Sequence, residues 1–348
     1  MSRQTETSQI EVQPERRAVV LDYLESNPQR SEAADHEADD AVFRADVLAG
    51  LAQPQKAIPS KYLYDTIGAR LFEDITEQPE YYPTRTEIAL LREHADEIAR
   101  AIGPHATIVE PGSGAGEKVE ILLEALQHPR AMVPVDIARE QLRRVARTLA
   151  SRHPQLKIVP LWADFTHEID LPEAVAELHP RLVFFPGSTI GNFMPEVQLE
   201  LLHALADLAG DDGALLVGFD RIKDESVLIP AYDDAAGVTR DFELNILTRM
   251  NRELDADFKI DDFRYEARWN AADARIEMHL ATKRPHTVTV DGTSFEFADG
   301  ETIWNESSHK YDDARIERLA ADAGLEVDRS WTDERGWFTV AMLRHQAQ

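Results

Sequence analysis

A glycine-rich turn at residues 110–118, EPGSGAGEK, has the residue types of a cofactor-binding loop. It follows a short apolar run and precedes a helix-like stretch. Glycine has no side chain, so the backbone of such a turn can approach a ligand closely. The free N–H groups at the start of the following helix favour a negatively charged ligand group. The turn therefore predicts a binding site for a cofactor that carries an anionic group.

The spacing of the glycines narrows the choice of cofactor. Gly112, Gly114 and Gly116 form the pattern G-x-G-x-G, whereas dinucleotide-binding turns have G-x-G-x-x-G. A triphosphate-binding loop would need Gly-Lys-Ser/Thr, but Lys118 follows Glu117 and precedes a valine. The methionine carboxylate of S-adenosylmethionine suits this helix start, and an NAD-dependent oxidoreductase stays open as an alternative.

Acidic residues at three consecutive predicted strand ends support S-adenosylmethionine. Glu110 precedes the glycines, Asp136 ends the next apolar run, and Asp164 with Phe165 ends the third. Doubly wound sheets bind their ligands at the carboxyl ends of the strands. There, Asp136 can accept hydrogen bonds from both ribose hydroxyls, Asp164 can accept one from the adenine amino group, and Phe165 can pack on the ring. Together these features predict a class I methyltransferase.

The elements that must position these residues alternate between strand and helix patterns. Parallel strands joined by helices form a sheet that is covered on both faces. The alternation therefore predicts an α/β fold, the Rossmann-like doubly wound sheet of class I methyltransferases. The predicted strands are ATIVEPG (106–112), AMVPVDI (131–137), LKIVPLWADF (156–165), RLVFFPGS (181–188) and ALLVGFD (214–220).

The pattern differs on both sides of this region. Residues 42–103 are helical in pattern, and Thr84 with Glu87 predicts a capping box at the start of the last helix. Residues 224–265 are also mostly helical, whereas residues 265–301 have the alternation and turns of antiparallel strands. The final segment predicts a closing hairpin. The core sheet is therefore expected to be interrupted by an inserted α+β segment.

These patterns divide the chain into five predicted parts. Residues 1–40 are polar and are predicted to be disordered or to form a loosely attached helix, and residues 41–86 form the helical part of a substrate-binding domain. Residues 87–222 form the methyltransferase core that binds S-adenosylmethionine. Residues 223–310 are the inserted α+β part of the substrate-binding domain, and residues 311–348 complete the core.

Composition limits the classes of partner and compartment. The 348 residues carry a net charge of −27, which disfavours nucleic acid because such binding needs Lys and Arg to neutralise phosphates. No apolar run has the length of roughly 20 residues that a bilayer-spanning helix needs, so no membrane partner is expected. The chain has no cysteine, which excludes disulfides and thiolate metal ligands, and its scattered histidines predict no metal site. A cytoplasmic, monomeric enzyme is expected.

Five further segments make the resemblance to a known family specific. Together and in this order, they closely resemble the histidine-specific α-N-methyltransferases of ergothioneine biosynthesis, from about residue 42 to the C-terminus. The resemblance implies transfer of three methyl groups from S-adenosylmethionine to the α-amino group of L-histidine, which gives hercynine. The segments are KYLYDTIGARLFEDITEQPEYYPTRTE (61–87), FFPGSTIGNF (184–193), AYDDAAGVT (231–239), RIEMHL (275–280) and NESSHK (305–310).

The same resemblance implies a set of site residues. The cofactor site corresponds to Tyr64, Phe72, Gly112, Lys118, Asp136, Asp164 and Phe165. The histidine site corresponds to Tyr81, Gly187, Asn192, Tyr232, Met278, Glu306 and Ser308. The turn departs from the family's more usual ELGSGTSEK at Pro111 and Gly116, which leaves the local shape of the loop open.

The chemistry of histidine assigns a role to several of these residues. Asn192 and Tyr232 can donate to the substrate carboxylate, and Glu306 with Ser308 can meet the two ring nitrogens. Met278 would pack against the ring. The catalytic residues are expected to be Tyr64 and Tyr81, which can orient the amine and stabilise the growing positive charge.

Two other functions stay open at this point. A relative could methylate a tryptophan-derived amine, although an indole offers one N–H and no use for a paired acid and hydroxyl such as Glu306 and Ser308. A non-catalytic binding or sensor module could also retain the fold and bind the cofactor without turnover.

Overall fold

The structure is a computed structural model that describes residues 32–346. Within that range the helices are α1 (Glu32–Leu51), α2 (Thr66–Thr76), α3 (Tyr82–Ile102), α4 (Glu117–Ala125), α5 (Arg139–Arg152), α6 (Glu173–Ala176), α7 (Pro195–Ala209), α8 (Glu225–Tyr232), α9 (Val238–Glu253) and α10 (Asp313–Asp322). The strands are β1 (Lys56–Ala57), β2 (Thr107–Pro111), β3 (Ala131–Asp136), β4 (Lys157–Ile158), β5 (Leu161–Trp162), β6 (Arg181–Phe185), β7 (Ala214–Asp220), β8 (Phe263–Asn270), β9 (Arg275–Thr282), β10 (His286–Val290), β11 (Thr293–Phe297), β12 (Thr302–His309), β13 (Leu325–Thr332) and β14 (Phe338–His345). None of the described helices has the length and apolar content that crossing a bilayer requires.

The larger sheet has the strand order β13-β14-β7-β6-β2-β3-β4, with β5 also paired to β3. Strands β2 to β7 run parallel, and β14 runs antiparallel to both of its neighbours. The strand order reverses at β2, which lies between β3 and β6. Such a reversal opens a crevice at the carboxyl ends of the strands. The predicted class I methyltransferase fold is confirmed.

Both faces of this sheet are covered, as its apolar strands require. Ile108 faces a core formed with α3, α4 and α5, while its neighbour Val109 faces the opposite core with α7 and α10. The third predicted strand is interrupted: it consists of β4 and β5, separated by Val159 and Pro160. The break occurs at Pro160 because proline has no N–H to continue a ladder. Asp164 and Phe165 lie in a loop beyond β5.

A second sheet has the order β1-β12-β9-β8. The hairpin of β8 and β9 and the separate hairpin of β10 and β11 are antiparallel, as predicted, and so is the closing hairpin of β13 and β14. Strand β1 comes from the chain before the core and pairs in parallel with β12, where Lys56 faces Ile303. Phe43 of α1, Ile75 of α2 and Ile246 of α9 share one apolar core with this sheet.

Of the two predictions for residues 1–40, disorder or a loosely attached helix, the structure has a helix at the end of the segment. Residues 1–31 lie outside the described residues, but residues 32–40 belong to α1. The following turns of α1 bury Phe43, Val47 and Leu51, spaced four residues apart on one helix face. These side chains attach the helix to the core, and the Ala- and Glu-rich stretch before them continues it.

The predicted capping box at Thr84 is wrong. Helix α3 begins at Tyr82, with Pro83 in its first turn, and Tyr81 at the N-cap makes no side-chain hydrogen bond there. Proline is compatible with that position because the first N–H groups of a helix have no partner within it. Glu87 therefore lies inside the helix, where its side chain is fully buried and does not cap the helix.

The anchoring of α1 can be tested by stability. Phe43 lies 4.4 Å from the Tyr62 ring, and the Arg249 guanidinium lies over it. We expect Phe43→Ala to lower the free energy of unfolding by about 3–5 kcal/mol, measured by urea denaturation, because it leaves a cavity. The neighbouring Val42 is 51% exposed, so Val42→Ala should change it by less than about 0.5 kcal/mol. Equal losses in the two variants would contradict this packing.

Candidate active site

A cavity of about 860 Å³ lies at the carboxyl edge of the larger sheet and is also lined by the second sheet. All of the residues that the resemblance assigned to a site line it. They come from separate elements: the loop after β2, the ends of β3 and β6, helices α2 and α8, and strands β9 and β12. The predicted cofactor and substrate residues are thus brought together in one continuous space.

The glycine turn has the backbone that its sequence implied. Gly112, Gly114 and Gly116 have φ angles of 71°, 49° and 76°, a region that favours glycine. A Cβ atom at Gly112 would lie 3.3 Å from the Phe165 ring, and one at Gly116 would lie 2.9 Å from a methyl of Val145. The departure from the family's usual residue at position 116 therefore fits this chain, where glycine also caps α4.

The two aspartates predicted for the cofactor differ in their surroundings. Asp136 accepts N–H bonds from Gly114 at 3.1 Å and Ala138 at 2.8 Å, and burial raises its pKa. Asp164 accepts from the backbone and hydroxyl of Thr166, at 3.0 and 2.6 Å. Burial opposes its ionisation, but these bonds and then Lys61 keep the pKa of Asp164 below its usual value. Each carboxylate retains lone pairs for ligand hydroxyl or amino groups.

Glu87 links the glycine turn to the loop after β6. Its carboxylate accepts the Gly187 N–H at 2.9 and 3.0 Å and pairs with the Lys118 ammonium at 2.6 Å. The absence of a side chain at Gly218 leaves room for it, since a Cβ there would lie 2.2 Å from a Glu87 oxygen. Gly187 and Lys118 were both predicted site residues, but the residue that positions them was missed.

Glu110 supplies a buried acceptor on the cofactor side. The residue is 2% exposed and lines the cavity, and its Oε2 has no hydrogen-bond partner among the described residues. Burial raises its pKa, and the Lys118 ammonium opposes that effect. An unpaired buried carboxyl oxygen is costly unless a ligand donates to it. The ammonium of the methionine part of S-adenosylmethionine is such a donor. The glycine turn that follows Glu110, which a ligand can approach closely, fits the same cofactor.

Aromatic rings form a continuous wall of the cavity. Tyr64 lies edge-on to Phe72 and Phe242, with centroids 5.5 and 5.4 Å away. Tyr81 lies 6.4 Å from Phe72 and 6.1 Å from Tyr232. Burial raises the pKa of Tyr64, Tyr81 and Tyr232 well above the usual value, so their phenols stay protonated. The wall is therefore neutral, with ring faces that can stabilise a cation.

Polar substrate residues form two hydrogen-bonded pairs. Asn192, in the short 3-10 helix Thr189–Asn192, donates from Nδ2 to Glu306 Oε1 at 3.1 Å. The Tyr232 hydroxyl and Ser308 Oγ are 2.8 Å apart. Met278 is 1% exposed and lies opposite Glu306 in the strand pairing. The residues predicted for the substrate carboxylate and for its ring are thus direct neighbours.

Lys310 lies behind the second pair and was missed. It is fully buried, and its ammonium donates to the Tyr232 hydroxyl at 2.6 Å and to Ser308 Oγ at 2.7 Å. Burial lowers its pKa, whereas an ion pair with Asp220 at 2.7 Å raises it. Asp220 also pairs with Lys223 at 2.5 Å. A lysine after the run NESSH gives no sequence signal of this role, because its partners lie far apart in the chain.

Glu243 and Asn305 also line the cavity without having been predicted. Glu243 lies in none of the quoted segments, and Asn305 begins NESSHK without having been assigned a role, so each would ordinarily be interpreted as an exposed polar residue of a helix or strand. Both are buried, at 0% and 4% exposure, and they are hydrogen-bonded to each other.

Comparison with known proteins agrees with this geometry. Residues 43–345 match the model of the family described as histidine-specific, S-adenosylmethionine-dependent methyltransferases. The histidine N-alpha-methyltransferase of Mycolicibacterium smegmatis is 40% identical over 315 residues, 89% of this chain and 96% of that protein. Ergothioneine biosynthesis protein 1 of Neurospora crassa is 32% identical over 83% of this chain and 33% of its own length. The L-tryptophan methyltransferase of Psilocybe serbica is 27% identical over 87% of this chain and 92% of its own length.

The role of Glu87 can be tested through cofactor affinity. Glu87→Gln removes the charge that holds Lys118 and weakens the contact to Gly187. We expect the dissociation constant of S-adenosylhomocysteine, measured by calorimetry, to rise about 10-fold or more, since hydrogen bonds to charged groups contribute about 1.5–3 kcal/mol. Glu93→Gln makes the same change at an exposed position of α3 and should leave it unaltered. Matching affinities in the two variants would count against this role.

Proposed function

Because the chain belongs to the histidine-specific, S-adenosylmethionine-dependent methyltransferase family, we propose that it methylates the α-amino group of L-histidine three times, giving hercynine for ergothioneine biosynthesis. The observation that carries this proposal is the joining of two sets of groups in one cavity. A glycine turn for the methyl donor adjoins the partly buried Asn192 and the buried Glu306, Tyr232 and Ser308, which have the donors and acceptors that histidine needs.

S-adenosylmethionine, when bound, supplies an electrophilic methyl group on its sulfonium. The residues that would hold it are those of the glycine turn and its surroundings: Tyr64, Phe72, Gly112, Lys118, Asp136, Asp164 and Phe165. Asp136 is suited to the ribose hydroxyls because backbone N–H groups fix both of its oxygens in place. Phe165 lies against Gly112, where the missing side chain leaves space for a ring to pack.

The two hydrogen-bonded pairs, Asn192 with Glu306 and Tyr232 with Ser308, offer groups for the ring and for the carboxylate of the substrate. Glu306 is suited to accept the ring N–H, with Met278 as the apolar wall of the ring. Asn192 and Tyr232 are suited to the carboxylate. Lys310 donates to both Tyr232 and Ser308, and one of those hydroxyls donates to the other, so the pair retains one O–H that can point to the substrate. The buried ammonium also favours a negative ligand group at this end.

The chain's own contribution to the reaction is mostly positioning. The substrate amine must lose a proton before it can attack. The raised pKa of Tyr64 and Tyr81 keeps both phenols protonated at neutral pH, so neither is available as a phenolate base. Their role is to orient the nitrogen and to face the cationic product with aromatic rings. Each methylation removes an N–H donor and adds apolar surface, which an aromatic wall accommodates better than a polar one.

We also propose the domain division that the sequence suggested, with residues 41–86 and 223–310 as the substrate-binding domain around the core of 87–222 and 311–348. The shared sheet and apolar core of β1, α2 and α9 support it. We further propose that the protein acts as a monomer. A cytoplasmic location is supported by the lack of cysteines that would need an oxidising compartment.

The runner-up is a tryptophan-derived substrate, as for the relative from Psilocybe serbica. The buried Glu306, held by Asn192, argues for histidine. An indole can donate its one N–H to Glu306 but has no second ring nitrogen for a neighbouring donor, and an unpaired polar group disfavours a substrate strongly. A sensor module without turnover would not need a substrate set beside the methyl donor site.

The proposed function is tested by incubating the protein with S-adenosylmethionine and each of the twenty amino acids. Mass spectrometry should show that histidine gains the mass of three methyl groups and that the others, including tryptophan, remain unmodified. Cofactor binding without any product would identify the sensor module instead. A methylated tryptophan in place of histidine would identify the runner-up.

The contribution of Lys310 is tested against a matched lysine. Lys310→Met and Lys223→Met each remove one ammonium from Asp220, but only the first takes donors from Tyr232 and Ser308. We expect kcat/KM for histidine to fall about 10- to 100-fold in Lys310→Met, mostly through KM, by the loss of charge-assisted hydrogen bonds. Lys223→Met should stay within about threefold. Equal losses would mean that both lysines act only through stability, which thermal unfolding would also reveal.

A further inference from the structure

Glu243 has a free oxygen inside the cavity. The residue lies on α9, is fully buried, and lines the cavity. Its Oε2 accepts from Asn305 Nδ2 at 3.0 Å, while its Oε1 has no partner within residues 32–346. The Asn305 carbonyl oxygen Oδ1 is also without one. Buried polar atoms without a partner are costly, so this part of the cavity is suited to a ligand that forms hydrogen bonds with them.

A strand irregularity brings Asn305, the hydrogen-bond partner of Glu243, to the cavity next to Glu306. In the pairing of β12 with β9, Trp304 lies opposite His279 and Glu306 lies opposite Met278, the next residue along. Asn305 is therefore an extra residue in β12, a bulge that changes the direction of neighbouring side chains. As a result both Asn305 and Glu306 line the cavity, although neighbours in a regular strand point to opposite faces.

Burial favours the protonated form of both carboxyl groups. It raises the pKa of Glu243 to about 8. Burial, and then the charge of Glu243, raises the pKa of Glu306 well above its usual value, while Lys310 opposes the effect. A protonated carboxyl group can donate a hydrogen bond as well as accept one. The two groups can therefore supply an acceptor for the N–H and a donor for the unprotonated nitrogen of a neutral imidazole ring.

Ser308 does not fill the second of these positions once Tyr232 serves the carboxylate. The two hydroxyls retain one free O–H between them, because Lys310 donates to both and one donates to the other. If that O–H belongs to Tyr232, Ser308 has none left for the acceptor nitrogen of the ring. A donor to that nitrogen has to come from elsewhere in the cavity.

We propose that Glu243 is a second substrate-binding carboxyl group, which together with Glu306 contacts the two ring nitrogens of the substrate and sets the preference for an imidazole. This inference rests on the proposed function and extends it. A ring with a single nitrogen, such as an indole, or with none leaves one of the two carboxyl groups unpaired, which disfavours its binding. Asn305 acts as a positioning residue, since it holds Glu243 through the bulge.

The first test uses two variants of Glu243 in the protein loaded with S-adenosylhomocysteine. Glu243→Leu removes both donor and acceptor, and the dissociation constant of histidine should rise about 10- to 100-fold by calorimetry. Glu243→Gln keeps an amide that can donate to a ring nitrogen, so histidine affinity should stay within about fivefold. The affinity for S-adenosylhomocysteine should be unchanged in both. An unchanged histidine affinity in the Leu variant, or parallel loss of histidine and S-adenosylhomocysteine, would overturn the proposal.

A second test needs no substitution and therefore does not depend on the folding of a variant. Methyl-L-histidines that carry the methyl group on one or the other ring nitrogen each block one carboxyl contact. The unmodified protein should bind both isomers at least about 10-fold more weakly than histidine. Tight binding of either isomer would show that only one ring nitrogen is contacted. Failure to bind histidine itself would refute the proposed function, which separates that outcome from failure of this inference.

Discussion

The buried charge of Asp220 connects the two halves of the molecule. Asp220 ends β7 at the carboxyl edge of the larger sheet, and it accepts hydrogen bonds from Tyr82 at the start of α3. It also pairs with Lys310, just after β12 of the second sheet, and with Lys223 before α8. Burial alone would oppose its ionisation, but the two ammonium groups keep the pKa of Asp220 below its usual value. A carboxylate at this depth needs such partners, because a buried charge that loses them is strongly destabilising.

This constraint extends to the substrate side of the cavity. Lys310 is held by Asp220 and in turn holds the hydroxyls of Tyr232 and Ser308. Removal of the Asp220 or Lys310 side chain would leave a buried charge or hydroxyl without this partner. The chemistry of the pocket and the attachment of the second sheet to the core therefore depend on the same hydrogen bonds. Glu87 has an equivalent role on the cofactor side, where its buried carboxylate holds both the Lys118 ammonium and the Gly187 backbone N–H.

Much of the fold was predictable because its signals are local. The apolar runs that became β2, β3, β6 and β7 are short and uninterrupted, and the glycine spacing requires a backbone that side chains disfavour. The predicted site residues were found in one cavity because the family's motifs carried their positions. By contrast, Glu87 was interpreted as a helix cap, since the local pattern of Thr84 and Glu87 matched one. Its true partner, Gly187, is 100 residues away, and no local pattern reports such a contact.

The unpredicted residues share a physical cause. Lys310, Glu243 and Asn305 are polar residues that would ordinarily face water, and only the assembled structure shows that each is buried. Asn305 reaches the cavity through a bulge, which breaks the alternation on which strand prediction depends. The residues that define a ligand pocket are therefore those for which local rules fail, because the pocket keeps polar groups buried in the absence of the ligand. Here the unpaired oxygens of Glu110 and Glu243 lie at two places in one cavity, and both need a hydrogen-bond partner that the described residues do not supply. One unpaired group beside the glycine turn and one beside Glu306 suit two ligands that bind side by side for transfer between them.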